Sequence, residues 1–191
     1  MEEDCPIVLN NVLANNLYIK AFMDRIHLCL FKDPNGIHGI CHAKRVLLLS
    51  NCLLYLSGDQ SDINKSILSL ASIYHDIGRK FDGNYKSHGK SSWRKVEKFE
   101  LLKGEQIQTI RIVRYIIENH SIDDDAKKVV TYYQITDIDS ALYLLDLFKD
   151  ADALDRIRIK DLNTSLLRRK ESKEMIMVAR YLFHNIEKLH I

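Results

Sequence analysis

Only two prolines occur in this chain, Pro6 and Pro34, and the seven glycines fall mostly at the ends of apolar-periodic segments. Between those points no residue removes a backbone donor or clashes with a preceding turn, so the chain is free to run as helix. The expected fold class is all-α.

A first helical region is expected over about 9–30, ended by the turn-forming Asp33-Pro34-Asn35-Gly36. A second helix starts near His38 and carries Val46, Leu49 and Leu53 on one face until Gly58-Asp59. Asp62 is read as the N-cap of a third, with Ile63, Ile67, Leu70, Ala71 and Tyr74 at helical spacing. Residues 78–87 break into glycine, asparagine and charge, which suits a loop beside a site. A fourth helix is expected over about 87–102, and Gly104 separates it from a fifth with Ile107, Ile110, Val113, Ile116 and Ile117. Val129 to Tyr133 are strand-favouring types, yet an isolated strand has no partner, so helix is preferred. Residues 140–158 show Leu142, Leu145, Phe148 and Leu154 inward, and a last helix over about 172–189 shows Met175, Ala179, Leu182, Phe183 and Ile186. There is no internal repeat or linker.

The length of 191 residues and a hydrophobic share of 46% fit one domain, 1–191, with a core that needs neither disulfides nor a structural metal. The 28 basic and 26 acidic residues leave a net charge of +2, so composition gives no footprint for nucleic acid or an anionic membrane, and any basic patch must be local. The acidic start, Met1-Glu2-Glu3-Asp4, is unlike a signal peptide, and no apolar run approaches the ~20 residues that cross a bilayer. A cytoplasmic protein is expected. Its cysteines, Cys5, Cys29, Cys41 and Cys52, form no C-x-x-C pair and are expected to be reduced and mostly buried.

The chemistry-bearing feature is an ordered series: His42, then His75-Asp76 followed by Gly78, then His88 and His120, then Asp150-Ala151-Asp152-Ala153-Leu154-Asp155. Neutral imidazoles and carboxylates suit a divalent cation that must keep open positions, as phosphoester hydrolysis requires: the cation polarises the phosphoryl group and lowers the pKa of a bound water. Singly, each histidine is more readily explained as a helix-end residue complementing the dipole. The joint order favours a metal site. A carboxylate can bridge two ions and an imidazole cannot, so Asp76 is the residue expected between metals if there are two.

The series H…HD…H…H…D resembles the HD-domain superfamily of metal-dependent phosphohydrolases over 38–158, most closely the small stand-alone bacterial members. That resemblance implies a helical bundle with the metal site between helices, the C-terminal helix packing on the motif-bearing core. It implies His42, His75, Asp76 and Asp152 as ligands of one divalent ion (Mn, Fe, Ni, Co, Zn or Mg), with Asp150 as the fallback for Asp152. His88 and His120 match histidines that hold a second ion in some members and serve as acid, base or phosphate contact in others. The Gly-Tyr-Pro signature of the cyclic-dinucleotide phosphodiesterases is missing.

Arg79, Lys80 and Lys86 follow the doublet, and Lys149 and Arg156 flank the closing aspartates. Of these, Arg79 and Lys86 are the preferred phosphate contacts. Asp155 is either an orienting group or the partner of Arg158 on a helix surface. His38 shapes a turn or stands behind the ligands, whereas His27, His184 and His190 receive no role. Arg168-Arg169-Lys170 reads as a solvated helix end, Asp123-Asp124-Asp125 as a helix cap region, and Trp93 and Tyr132-Tyr133 as core or rim aromatics. The leading function is a phosphohydrolase acting on a nucleotide or another small phosphoester. The alternatives are an HD-type nuclease, which needs a basic groove that composition does not reveal, and a non-catalytic nucleotide-binding module.

Overall fold

The computed structural model describes residues 5–14, 16–83 and 86–189, with 16 and 125–129 described by backbone only. Residues 1–4 and His190 lie outside the described residues. Among the described residues there are helices and turns and no strand. None of the helices is long and apolar enough to cross a membrane.

The centre is α3 (Ile40–Leu56), in which every residue from Val46 to Leu54 is buried. The expected single apolar face is thus an all-round one, because α1 (Ile7–Leu13), α4 (Asp62–Tyr74), α7 (Ile138–Leu154) and α9 (Ile176–Asn185) pack around it. The helix stops where Gly58 takes φ +77°, a left-handed conformation that costs glycine little. Helix α4 packs on α6 (Ile107–Asn119), which packs in turn on α5 (His88–Lys98) and α7.

Several boundaries differ from expectation. The first helical region splits into α1, α2 (Asn16–Met23) and a 3-10 turn at Leu28–Leu30. Ser61, not Asp62, caps α4 by accepting from Asn64 N at 3.3 Å, while Asp62 pairs with Lys65. Helix α5 ends at Lys98 rather than 102, and Glu100 then turns left-handed. Residues Asp124–Tyr133 form a 3-10 helix. The last helix divides at Met175 into α8 (Lys170–Glu174) and α9. Ile63 and Ile107 are exposed in the first turns of α4 and α6, and Phe183 is exposed beneath the guanidinium of Arg45. Among the cysteines, all free, only Cys52 is buried and Cys29 is exposed.

Candidate metal centre

The helix ends that carry the ordered series meet at one pole of the bundle. Two of them are built alike. His75 is the C-cap of α4 and His120 the C-cap of α6, and each ring turns its Nδ1 back to a carbonyl three residues earlier, Ser72 O at 2.9 Å and Ile117 O at 2.7 Å. A carbonyl only accepts, so Nδ1 carries the proton in both rings and Nε2 is left with its lone pair pointing outward. His42, in the first turn of α3, is oriented by another route: its Nδ1 lies 2.7 Å from Asp155 Oδ2. Asp155 is itself held by Arg45, at 2.5 Å from Nε, and by Arg158 at 3.2 Å.

These rings converge on Asp76. His42 Nε2 and His75 Nε2 stand 3.0 Å apart and lie 3.5 and 3.6 Å from Asp76 Oδ2. On the other side His88 Nε2 and His120 Nε2 stand 2.7 Å apart, 3.1 and 3.7 Å from Asp76 Oδ1. Asp152 Oδ1 adds a second carboxylate to the first pair, 3.4 Å from His42 Nε2 and 3.9 Å from His75 Nε2. All of these side chains are buried except Asp152, which is partly exposed.

The donor set fits a divalent cation. Each pair of Nε2 atoms stands close enough to share one cation, and Asp76 Oδ1 is buried without accepting a hydrogen bond. The titration behaviour reflects the same crowding of buried imidazoles and carboxylates. Burial pushes His75 down to about 3 against the pull of Asp76. Burial and Arg158 also oppose a charge on His42, yet Asp155 and Asp76 outweigh them and hold it above the ordinary value. Burial would raise Asp76, but His75 and the contacts with His120, His42 and His88 hold it well below the usual carboxylate range. Asp152 is held at about 2, its burial overruled by His42, His75 and His120. The groups His42, His75, Asp76 and Asp76, His88, His120 could each hold an ion, with Asp76 common to both.

The structure thus brings together His42, His75, Asp76, His88, His120 and Asp152. Asp150 is elsewhere: fully buried, it accepts from the backbone N–H groups of Arg168 and Arg169 and from Ser172 Oγ, at 2.7–3.0 Å, and so anchors the start of α8. Arg168 is accordingly no solvated helix end, since it pairs with Asp150 and Asp124. Arg79 lies against the centre, its Nε 2.9 Å from Asp76 Oδ2. Lys86 is exposed and lines a cleft of about 600 Å³ that also contains Arg79, His88, His120 and Asp152. Lys149 and Arg156 reach this cleft with their charges taken up, Lys149 by Ile122 O and Asp124, Arg156 by Asp161. Lys80 faces a different cleft. His38 pairs with Asp82 at 2.9 Å. Trp93 and Tyr133 are buried outside the cleft, and Tyr132 is exposed outside it.

Asp155 proves to be both of the things weighed for it, a partner of Arg158 and a group orienting His42, but in the interior rather than on a surface. The residue that sequence reasoning missed is Arg45. Its signal was the spacing from His42, which puts both on one helix face at i and i+3.

The family model described as HD domain matches residues 39–157, more than half of the chain. No curated protein and no solved structure matches it.

Proposed function

This chain belongs to the HD-domain family, and from that premise we propose that it is a single-domain, cytoplasmic phosphohydrolase that uses one or two divalent ions to hydrolyse a phosphoester. The nucleotide class is favoured for the group held in the cleft, whose volume of about 600 Å³ suits a nucleotide-sized ligand. His42, His75, Asp76 and Asp152 would hold one cation, and Asp76, His88 and His120 are the residues that would hold a second. Such an ion, Mn, Fe, Ni, Co, Zn or Mg, supplies Lewis acidity at a phosphoryl oxygen and lowers the pKa of water beside it.

The remaining work falls to the chain's own side chains. Arg79 pairs with Asp76 through Nε and lines the cleft, its outer nitrogens resting at 3.3 Å on Gly83 O and 3.4 Å from His88 Nε2, long contacts that a phosphoryl group would replace. Lys86, on the rim, adds a mobile charge for the same group. His88 and His120, where they do not hold metal, are within reach to pass a proton to the leaving oxygen. The observation that carries this reading is the carboxylate of Asp76, whose two oxygens each face the Nε2 atoms of a pair of imidazoles.

Elemental analysis of the purified protein, followed by a phosphoester and nucleotide panel with the metal found, tests it. Metal at one or two equivalents with turnover supports the proposal. Metal with tight nucleotide binding and no product selects a binding module instead, and metal-free protein whose melting temperature ignores added metal removes the reading altogether.

A further inference from the structure

The cations that line the metal cleft from Lys149 onward are paired with acids: Lys149 with Asp124, Arg156 with Asp161, and Arg168 with Asp124 and Asp150. Around a second cleft the opposite holds. This cleft, of about 710 Å³, is walled by Lys32, Arg79, Lys80, Arg94 and Lys95, and among the described residues no carboxylate lines it. Arg79 pairs with Asp76, while Lys95 donates to the carbonyls of Leu30 and Ile77 at 2.7 and 2.9 Å, which fixes its ammonium without a counter-charge. Lys32, Lys80 and Arg94 are exposed, and among the described residues no hydrogen bond or ion pair holds their side chains. Acidic groups close in sequence serve other clefts. Glu97, three residues on from Arg94, lines the groove beside Trp93. Asp33 and Asp82 line a smaller cleft, where Asp33 accepts from Asn35 N and Asp82 pairs with His38.

Like charges gathered from separate segments repel one another unless an anion joins them. The floor of the cleft is rigid. Gly78, just past α4, donates to Ser92 Oγ at 2.9 Å and approaches α5 so closely that a Cβ would collide with Ser92 N. The segments bearing Lys80 and Arg94 therefore keep a fixed separation, while the side chains stay free to close on a ligand. A guanidinium and two ammonium groups suit phosphoryl oxygens, the first as a planar fork and the others as point charges. A single phosphate fills only a small part of this space, whereas a condensed phosphate chain presents a negative charge on each successive group. Among the described residues Phe31 is the one aromatic ring in the wall, and it is buried, so no flat face is offered to a base.

We propose that this cleft is an effector site for a condensed phosphate chain such as tripolyphosphate, held by Lys32, Lys80 and Arg94, and that its occupant acts on the metal centre through Arg79. Arg79 is the lining residue that the basic cleft and the metal cleft share. An anion in the first draws on the charge that the second offers a substrate, so effector and substrate weaken each other's binding by the same factor. This coupling rests on the function proposed above; the binding site does not.

Calorimetric titration of the full chain with sodium tripolyphosphate tests the site, with chelator present so that no phosphate is held through a metal. One equivalent should bind, about tenfold tighter than orthophosphate, on the scale of two added exposed ion pairs. The double variant Lys32→Gln/Arg94→Gln should lose about tenfold in affinity and keep its metal content, because neither residue lines the metal cleft. Adenosine triphosphate separates the sources of such a chain: affinity equal to or above that of tripolyphosphate assigns a nucleotide-borne chain, and weaker binding assigns a free one. Absence of binding, orthophosphate bound as tightly as the chain, or unchanged affinity in the double variant overturns the site. So does a short oligothymidine bound more tightly than either chain, which would make the occupant a nucleic acid. Turnover of a small chromogenic phosphoester at fixed free metal tests the coupling. KM should rise with tripolyphosphate to a plateau, about fivefold or more, and the rise should shrink in the double variant. A rise without limit, equal in both proteins, means competition at the metal centre and overturns the coupling. An inactive protein counts against the hydrolytic reading, while the titration in chelator still decides the cleft.

Discussion

The two imidazole pairs flanking Asp76 differ in what holds them. His42 and His75 come from α3 and α4, the most deeply packed helices, and His42 is locked through Asp155 onto two buried arginines. The other pair joins His120, which repeats the capping of His75, to His88, the first residue of a peripheral helix. That helix is seated by close approach. A Cβ on Gly89 would collide with the carbonyl oxygen of Ile117, and one on Gly78 with the backbone N of Ser92. One half of the centre is therefore braced by charge inside the core, the other by backbone contact that only glycine permits. Damage to the first should cost stability and metal together, while damage to the second should cost metal more selectively.

Asp76 belongs to both halves, so it tests whether they form one centre. Asp76→Ala should empty the protein of metal and abolish hydrolysis, since each imidazole pair loses the carboxylate it faces. Unchanged metal stoichiometry in this variant, read by elemental analysis, would show that the ordered series is not a metal site.

Asp155→Asn addresses the braced half alone. Removing the charge leaves Arg45 and Arg158 buried against a neutral amide, a loss that costs about 3–5 kcal/mol where a buried pair is broken. It also leaves one acceptor oxygen where His42 and Arg45 Nε used two, which loosens the His42 ring, and for the loss of such an orienting contact a drop of about 10–100-fold in metal affinity is the usual scale. Urea unfolding of the metal-free protein reads the first effect and calorimetric titration the second. If stability is lost but affinity is not, the residue is a structural ion-pair partner and nothing more.

Gly89→Ala is the matching test of the other half. The collision with the Ile117 carbonyl must push α5 away from α6 at a cost of about 1–3 kcal/mol, taking His88 away from His120. Metal held by His42, His75, Asp76 and Asp152 should survive, so a protein that binds two ions should fall to one. Loss of both ions would mean that the halves are not separable and would break the comparison.

What could be read from the chain alone follows the same division. Helix periodicity and the scarcity of proline led to the all-α bundle, and the spacing of His75-Asp76 and His120 after apolar runs put them at helix ends, because those signals are local. Asp150 and Asp152 could not be separated that way. They differ only in which side of α7 they occupy, and it is the arrival of α8 that claims Asp150. The bracing of His42 was equally hidden, since Asp155 and Arg45 are 110 positions apart.

The second half does have an ionic brace of its own, and it is the weaker counterpart of Asp155. Beyond His120 the chain is tied to α7 where Lys149 donates to Ile122 O and to Asp124, with Arg168 on the same carboxylate. Asp124 is 54% exposed and Asp155 1%, so solvent screens the one and not the other. Burial nudges the Asp124 carboxyl upward, but Arg168 and Lys149 overrule it and hold it below its ordinary value of 3.8. A carboxyl depressed in the folded state adds stability that is present above the unfolded value and is lost as pH falls through the folded one. Asp124→Asn should therefore cost up to about 1 kcal/mol at neutral pH, the scale of an exposed pair. The gap from the unaltered protein should stay constant down to about 3.8 and close below it. A gap at neutral pH as large as that of Asp155→Asn would mean that both halves are braced by charge to the same degree, and the contrast between core and periphery would be lost.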